Sequence, residues 1–317
     1  MPSLTEDAHG VYVIAATPFT DTGAVDEAST ERLVEFYIEE GVHGMTALGI
    51  MGEAPKLTLE EQDRFMRHLI GRVAGRVPVI VGVSNPGIDN LAALSHAAMD
   101  AGAAGVMVAG MPGLKTEDQA LGYFAKVMAA LDDDVPVCLQ DYPPTTMVHL
   151  SVATINRLIA DYLSIKMFKH EDAPGHRKLS AVRRAPEETG LRRVSILVGN
   201  GALYVPQEMR RGADGIMTGF AFPGMLSQVF ELFGSGETEA AEDLYDLYLP
   251  VIRHEQQFGF GLALRKETLV RRGVISSNKA RDPGPSLDAD DQTELTALLD
   301  RLKAKLQAAG HECPSGL

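Results

Sequence analysis

Residues 41–47 read GVHGMTA, and the same form returns as GAAGVMV at 102–108 and GADGIMT at 212–218. Each is Gly-x-x-Gly running into apolar residues. The first glycine suits the left-handed residue that ends a helix, and the second opens the next strand. A helix-to-strand junction that recurs along a chain points to alternating β and α units.

Outward from these junctions, eight short apolar or β-branched runs can be placed. They are VYVIAA from Val11, GMTALG from Gly44, VPVIVGV from Val77, GVMVAG from Gly105, VPVCLQ from Val135, SIKMFK from Ser164, VSILVG from Val194 and GIMTG from Gly215. Most are separated by helix-sized segments with apolar residues three and four apart, such as STERLVEFYIEE and EDQALGYFAKVMAAL. TLEE (58–61) and TEDQ (116–119) have the form of capping boxes. Eight parallel strands are the number that closes a (β/α)8 TIM barrel. An open doubly wound sheet is disfavoured, because AATPFTDTG follows the first run where a Gly-x-Gly-x-x-Gly turn would stand. The expected class is α/β, with the barrel core over residues 1–224. Residues 225–317 then hold the last barrel helix and a C-terminal helical extension, through LSQVFELF, TEAAEDLYDLYLPVIRHEQQF and DDQTELTALLDRLKAKLQAA.

The chain carries 29 Lys and Arg against 43 Asp and Glu, a formal charge of −14. That balance argues against nucleic acid as a partner and leaves a small anionic substrate open. Cys138 and Cys313 offer no disulfide framework, and no Cys/His cluster has metal-ligand spacing. The opening MPSLTEDAHG is polar and acidic, unlike a secretory signal, and no apolar run approaches the roughly 18 residues of a membrane span. A cytoplasmic protein without a membrane partner is expected.

The sixth run holds two lysines, Lys166 and Lys169. Strand side chains alternate, so Ile165, Met167 and Lys169 are expected on one face, with Lys166 and Phe168 on the other. Lys169 precedes the charged residues 170–172 and so lies at the carboxyl end of its strand, where barrel enzymes build their sites. An amine among apolar neighbours loses hydration, and lowering a lysine pKa by ~3 units costs about 4 kcal/mol. A neutral amine is useful chiefly for Schiff-base chemistry with a carbonyl. Parity alone leaves open a lysine whose head simply reaches solvent at the barrel rim.

Several segments together resemble the dihydrodipicolinate synthase / N-acetylneuraminate lyase family of class I aldolases, in that family's order: ATPFTDTGAVD, GVHGMTALGIMGEAPKLTLEE, VPVIVGVSN, FKHEDAPGHRKLSAVRR and GADGIMTGFAFP. The similarity spans roughly residues 10 to 300. It implies a lyase in which Lys169 condenses with the keto carbon of pyruvate or another 2-oxo acid, for aldol cleavage, condensation or loss of water. It implies no metal and no dissociable cofactor, and a homo-oligomer, tetramer or dimer. It places Gly49, Ile50 and Met51 in the loop whose main-chain N–H groups meet the substrate carboxylate, with Gly49 and Gly52 as its turn residues. Met217 stands where an apolar residue borders that pocket.

Four departures from the family pattern are visible. Gln140 occupies the position of the proton-transferring tyrosine, with Tyr142 two residues later as a partial substitute. Met111 and Pro112 stand where a second tyrosine pair is expected. Ile50 and Met51 replace two threonines, and Thr145 matches the arginine that meets a second carboxylate. A phenol can cycle a proton and an amide cannot. The covalent step is therefore expected to persist with an altered second half-reaction. The alternatives are dihydrodipicolinate synthase proper, joining pyruvate to aspartate semialdehyde, and a catalytically silent barrel that binds 2-oxo acids. Gly199 and Gly201 could cradle a phosphate or simply make a strand-to-helix turn.

Overall fold

The computed structural model describes residues 3–317. All eight runs form strands: β1 (Gly10–Ile14), β2 (Gly44–Ala47), β3 (Val79–Gly82), β4 (Gly105–Ala109), β5 (Val137–Asp141), β6 (Ile165–His170), β7 (Ser195–Val198) and β8 (Gly215–Thr218). Every neighbour is parallel, and β8 pairs with β1 to close a barrel in sequence order. The fold is a (β/α)8 TIM barrel with further helices at its C-terminal end.

The repeated junction explains how the chain turns into each strand. Gly41, Gly102 and Gly212 have φ of +73°, +94° and +88°, which glycine adopts without steric penalty. The second glycine serves a different need, the close approach of neighbouring strands. A Cβ on Gly44 would lie 2.3 Å from the Tyr12 ring, and one on Gly215 would lie 2.0 Å from the Gly10 carbonyl oxygen.

Two apolar layers result. The barrel interior is filled by Tyr12, Ile14, Ile80, Met107, Cys138, Met167, Leu197 and Met217. The alternate strand residues, Val11, Val13, Val81, Val106, Leu139 and Phe168 among them, pack against the surrounding helices. Leu4 joins the interior layer and donates its N–H to the Ala104 carbonyl at 2.8 Å, so one end of the barrel is plugged. The ends where the strands finish remain open to a cavity.

Thr58 and Glu61 form a full capping box at the helix Leu59–Val73. The second expected box is half formed. Thr116 accepts from the Gln119 N–H, but the Gln119 side chain takes the Lys115 N–H, one residue earlier than a box requires. Beyond β8 lie helices Pro223–Ser235, Thr238–Glu255, Gly261–Arg271 and Ala289–Ala308. The third falls within the expected helical extension but outside the periodic runs that marked it. It is buried nearly all round, from Ala263 to Leu269, and its polar residues pair internally, so it carries no apolar stripe. Among the described residues, no helix is long and apolar enough to cross a membrane.

Candidate active site

The carboxyl ends of the strands open into a cavity of about 460 Å³. Lys169, Gln140, Tyr142, Ile50, Met51 and Met217 all line it. Gly49 does not. Its φ is −73°, and the left-handed residues of that loop are Leu48 (φ 55°) and Glu53 (φ 56°). A Cβ at Gly49 would lie 2.9 Å from the Ile14 side chain, so its role there is close packing beneath the loop, not the turn itself.

Lys169 is 4% exposed, and in β6 it stands opposite Gln140 of β5. The strict alternation expected for β6 fails at its start. Val137 pairs with Ile165, and the next residue, Cys138, pairs with Met167, so Lys166 is the extra residue of a β-bulge. Ile165 therefore packs with the helices, while Met167 and Lys169 face inward. Lys166 ion-pairs with Glu6 at 2.7 Å, away from the cavity.

The amine does not stand alone among apolar groups as the sequence suggested. The Glu171 carboxylate lies beside it, Oε2 to Nζ 3.1 Å, and the same oxygen accepts a 2.7 Å hydrogen bond from Gln140 Nε2. Glu171 is buried and holds its place by donating its own N–H to the Asp141 carbonyl. It lies two positions beyond Lys169, so the parity that singled out the lysine also pointed to residue 171. Nothing in the sequence beyond that spacing marks Glu171 as a site residue.

Gly199 makes room for this carboxylate. A Cβ there would fall 2.3 Å from Glu171 Oε1. Gly199→Ala is expected to displace Glu171 from both partners and lower turnover by about 10- to 100-fold with the fold retained, since a packed interior cannot absorb the extra atom. Steady-state kinetics beside a far-UV spectrum would check this, and wild-type turnover in the variant would exclude the packing role. Gly201 has φ of +61° in the same turn, and its position lines the cavity.

β5 ends at Asp141, so Tyr142 does not continue the strand. It caps a short helix, Pro143–Thr146, and still lines the cavity together with Thr145. Burial and then the Glu171 charge push its phenol above the ordinary value. Behind the site, burial raises the Asp141 carboxyl to about 6, even with Lys178 at 2.8 Å. His170 faces away from the cavity. Its Nε2 is 3.0 Å from the Gly175 carbonyl, and burial lowers its imidazole to about 4.

The loop after β2 is fastened by Glu53. Its Oε1 accepts from Lys266 Nζ at 2.6 Å, and its Oε2 accepts from Lys56 Nζ at 3.0 Å and the Arg281 N–H at 2.9 Å. Lys266 is fully buried with its Nζ 4.4 Å from the Phe19 ring centroid. Also on the cavity wall, Arg265 Nε donates to Glu255 Oε2 at 3.1 Å, both residues being 3% exposed. Burial raises the Glu255 carboxyl, against the pull of Arg265. Sequence reasoning missed this pair, because it joins two helices through positions that no local pattern connects.

No group of three His, Cys, Asp or Glu among the described residues is placed to hold a metal ion. What the cavity offers is an amine, a carboxylate 3.1 Å from it, an amide and a half-buried phenol.

A family model described as Dihydrodipicolinate synthetase family matches residues 7–302. The chain is similar to an L-2-keto-3-deoxyarabonate dehydratase from Azospirillum brasilense, 32% identical over 306 residues that cover 95% of this chain and 96% of that protein. It is also similar to the crystal structure of a dihydrodipicolinate synthase from Rhodopseudomonas palustris, with a TM-score of 0.93, 45% identity, and coverage of 95% of this chain and 100% of that one. YagE from E. coli K12, a prophage protein of the dihydrodipicolinic acid synthase family solved in complex with pyruvate, matches with a TM-score of 0.83 at 25% identity, over 93% of this chain and 98% of that one.

Proposed function

Since this chain belongs to the dihydrodipicolinate synthetase family, whose members are class I aldolase-type lyases, we propose that it dehydrates a hydroxylated 2-oxo acid through a Schiff base on Lys169. The observation that carries this is the Lys169 amine facing the cavity with Glu171 3.1 Å away and Gln140 bonded to the same carboxylate.

The amine attacks the keto carbon, and one water leaves as the iminium forms. The iminium withdraws electrons from C3, so a C3 proton is released and the pair moves into an enamine. That pair then expels the C4 hydroxyl, which departs with a proton as water. Hydrolysis of the unsaturated iminium returns the free lysine, so the net change is loss of one water. Glu171 is the group that takes and returns protons beside the nitrogen, and Gln140 holds it in place. The carboxylate at C1 lies toward the main chain of the loop bearing Ile50 and Met51, which needs no threonine hydroxyls to present N–H groups.

Dihydrodipicolinate synthase activity is the weaker reading. Gln140 cannot relay a proton as a phenol does, and Thr145 offers no charge to a second carboxylate. The similarity to an enzyme named as a 2-keto-3-deoxy acid dehydratase supports dehydration over condensation.

Incubation with pyruvate followed by borohydride reduction tests the covalent step. The expected result is one adduct per chain, mapped by peptide mass spectrometry to Lys169 and not to Lys166. Absence of any adduct with pyruvate or longer 2-oxo acids would refute the Schiff base. An adduct with no turnover of any hydroxylated 2-oxo acid would make the protein a binding barrel instead.

A further inference from the structure

Gln140 and Glu171 meet on the cavity side of the barrel wall, and the residue after each meets a shared partner behind it. Gln140 Nε2 donates to Glu171 Oε2 at 2.7 Å, and both residues line the cavity. Asp141 and Asp172 come next in sequence and do not line it. Between these two carboxylates lies Lys178 of the helix His176–Thr189. Its Nζ is 2.8 Å from Asp141 Oδ2 and 2.6 Å from Asp172 Oδ2. The Glu171 N–H donates to the Asp141 carbonyl at 2.9 Å, so a backbone bond joins the chain ends that carry both bridges. Asp141 is buried, its Oδ1 has no hydrogen-bond partner, and Asp172 and Glu171 are like charges near it. Lys178 is its one salt-bridge partner among the described residues. Without that ammonium, two carboxylates would repel each other where β5 and β6 must stay in register. Buried ion pairs add little net stability over apolar packing, so the bridge is better explained by the geometry it fixes.

We propose that Lys178 is a positioning residue for proton transfer. By tying Asp141 to Asp172 behind the wall, it holds the ends of β5 and β6 at the spacing that lets Gln140 bind Glu171 in front of it. Lys178 touches no substrate and acts through that one hydrogen bond. A proton-transferring group must stay within hydrogen-bonding reach of the proton it moves, and a misplacement of about 1 Å can cost 100-fold. Lys169 and Glu171 are two positions apart on one segment, so their contact does not cross from β5. Loss of Lys178 therefore leaves the amine able to hold a 2-oxo acid and slows the movement of protons. The inference rests on the Lys169 Schiff base and the Glu171 role proposed above.

The test uses pyruvate in heavy water. On the iminium a C3–H bond breaks, its proton passes to Glu171 and on to solvent, and a C3–D bond forms with the deuteron that replaces it. Loss of the methyl signal in the proton NMR spectrum then counts proton transfers. For Lys178→Met the exchange rate at saturation is expected to fall by about 10- to 100-fold. The half-saturating pyruvate concentration should change by less than about twofold, and the borohydride adduct formed at equilibrium should match wild type. Asp172→Ala cuts the tie while leaving Asp141 paired with Lys178, so it should show the same pattern even where Lys178→Met does not fold. Gln140→Ala should also slow exchange, and Lys178→Met/Gln140→Ala should be no slower than Gln140→Ala, because a contact already broken cannot be lost twice. Wild-type exchange in folded Lys178→Met or in Asp172→Ala would overturn the inference. So would losses that multiply in the double variant, since these would show a route other than the Gln140–Glu171 bond. A wild-type protein that forms no pyruvate adduct refutes the Lys169 reading and this inference with it, whereas an adduct with exchange untouched by the variants refutes this inference alone.

Discussion

Replacing Lys169 with methionine is expected to abolish the borohydride adduct and to lower turnover by on the order of 10⁴-fold or more, the scale seen when a covalent nucleophile is removed. The same change has a second, separable consequence. Glu171 is 6% exposed, and its carboxylate would lose its cation while still buried. Breaking a buried pair from one side costs about 3–5 kcal/mol, because the remaining charge is left uncompensated. Lys169→Met should therefore be destabilised as well as inactive. The double variant Lys169→Met/Glu171→Gln should recover most of that stability and none of the activity, since a neutral amide keeps the hydrogen-bonding shape without the charge. Thermal unfolding of the wild type, Lys169→Met, Glu171→Gln and the double variant would check the cycle. A single variant as stable as the wild type would show that Glu171 does not depend on the lysine for its charge balance. Residual turnover near wild type would place the nucleophile elsewhere.

The second large effect concerns Glu208, on the helix Val205–Met209. It is 2% exposed, its Oε2 has no hydrogen-bond partner, and burial followed by the charge of Glu171 raises its carboxyl to about 8. In the unfolded chain the same group titrates near 4.5. Between those values the folded protein holds a proton that the unfolded chain has released. The stabilisation is therefore complete below pH 4.5 and is lost as the pH rises towards 8. At 1.36 kcal/mol per unit, the loss between pH 5.5 and 8 is about 3 kcal/mol. Glu208→Gln carries no proton to lose. Its stability relative to wild type should rise across that window by about 3 kcal/mol, or roughly 5 °C in the unfolding midpoint for a chain of this length. Asp141 also weakens the fold as pH rises, but it does so in both proteins and cancels from the comparison. Parallel midpoint-against-pH curves would show that Glu208 is already ionised in the folded state. A neutral Glu208 also suits the site, because it keeps a second negative charge away from Glu171.

The barrel was legible in the sequence because its determinants are local. The Gly-x-x-Gly junctions at 41–44, 102–105 and 212–215 are set by the φ of one residue and the closeness of the next, and both act within a few positions. Strand alternation likewise carried Lys169 to the inner face, since its neighbours Met167 and Phe168 divide between the two layers as period two requires. That argument broke at Ile165, where the β5 register inserts Lys166 as a bulge. A bulge is a property of two strands together and leaves no mark on one.

What only the tertiary structure decided is the company each site group keeps. Glu171 reaches Lys169 because Gly199, on β7's following turn, leaves space for it. Arg265 and Glu255 meet across two helices, and Lys266 crosses from position 266 to Glu53. The helix that carries Arg265 and Lys266 shows no apolar stripe in the sequence because its polar side chains turn inward, Arg265 to Glu255 and Lys266 to Glu53. Backbone geometry is written residue by residue, and sequence displays it. Charge pairing is settled by distance in space, and until the barrel closes no interval along the chain fixes that distance.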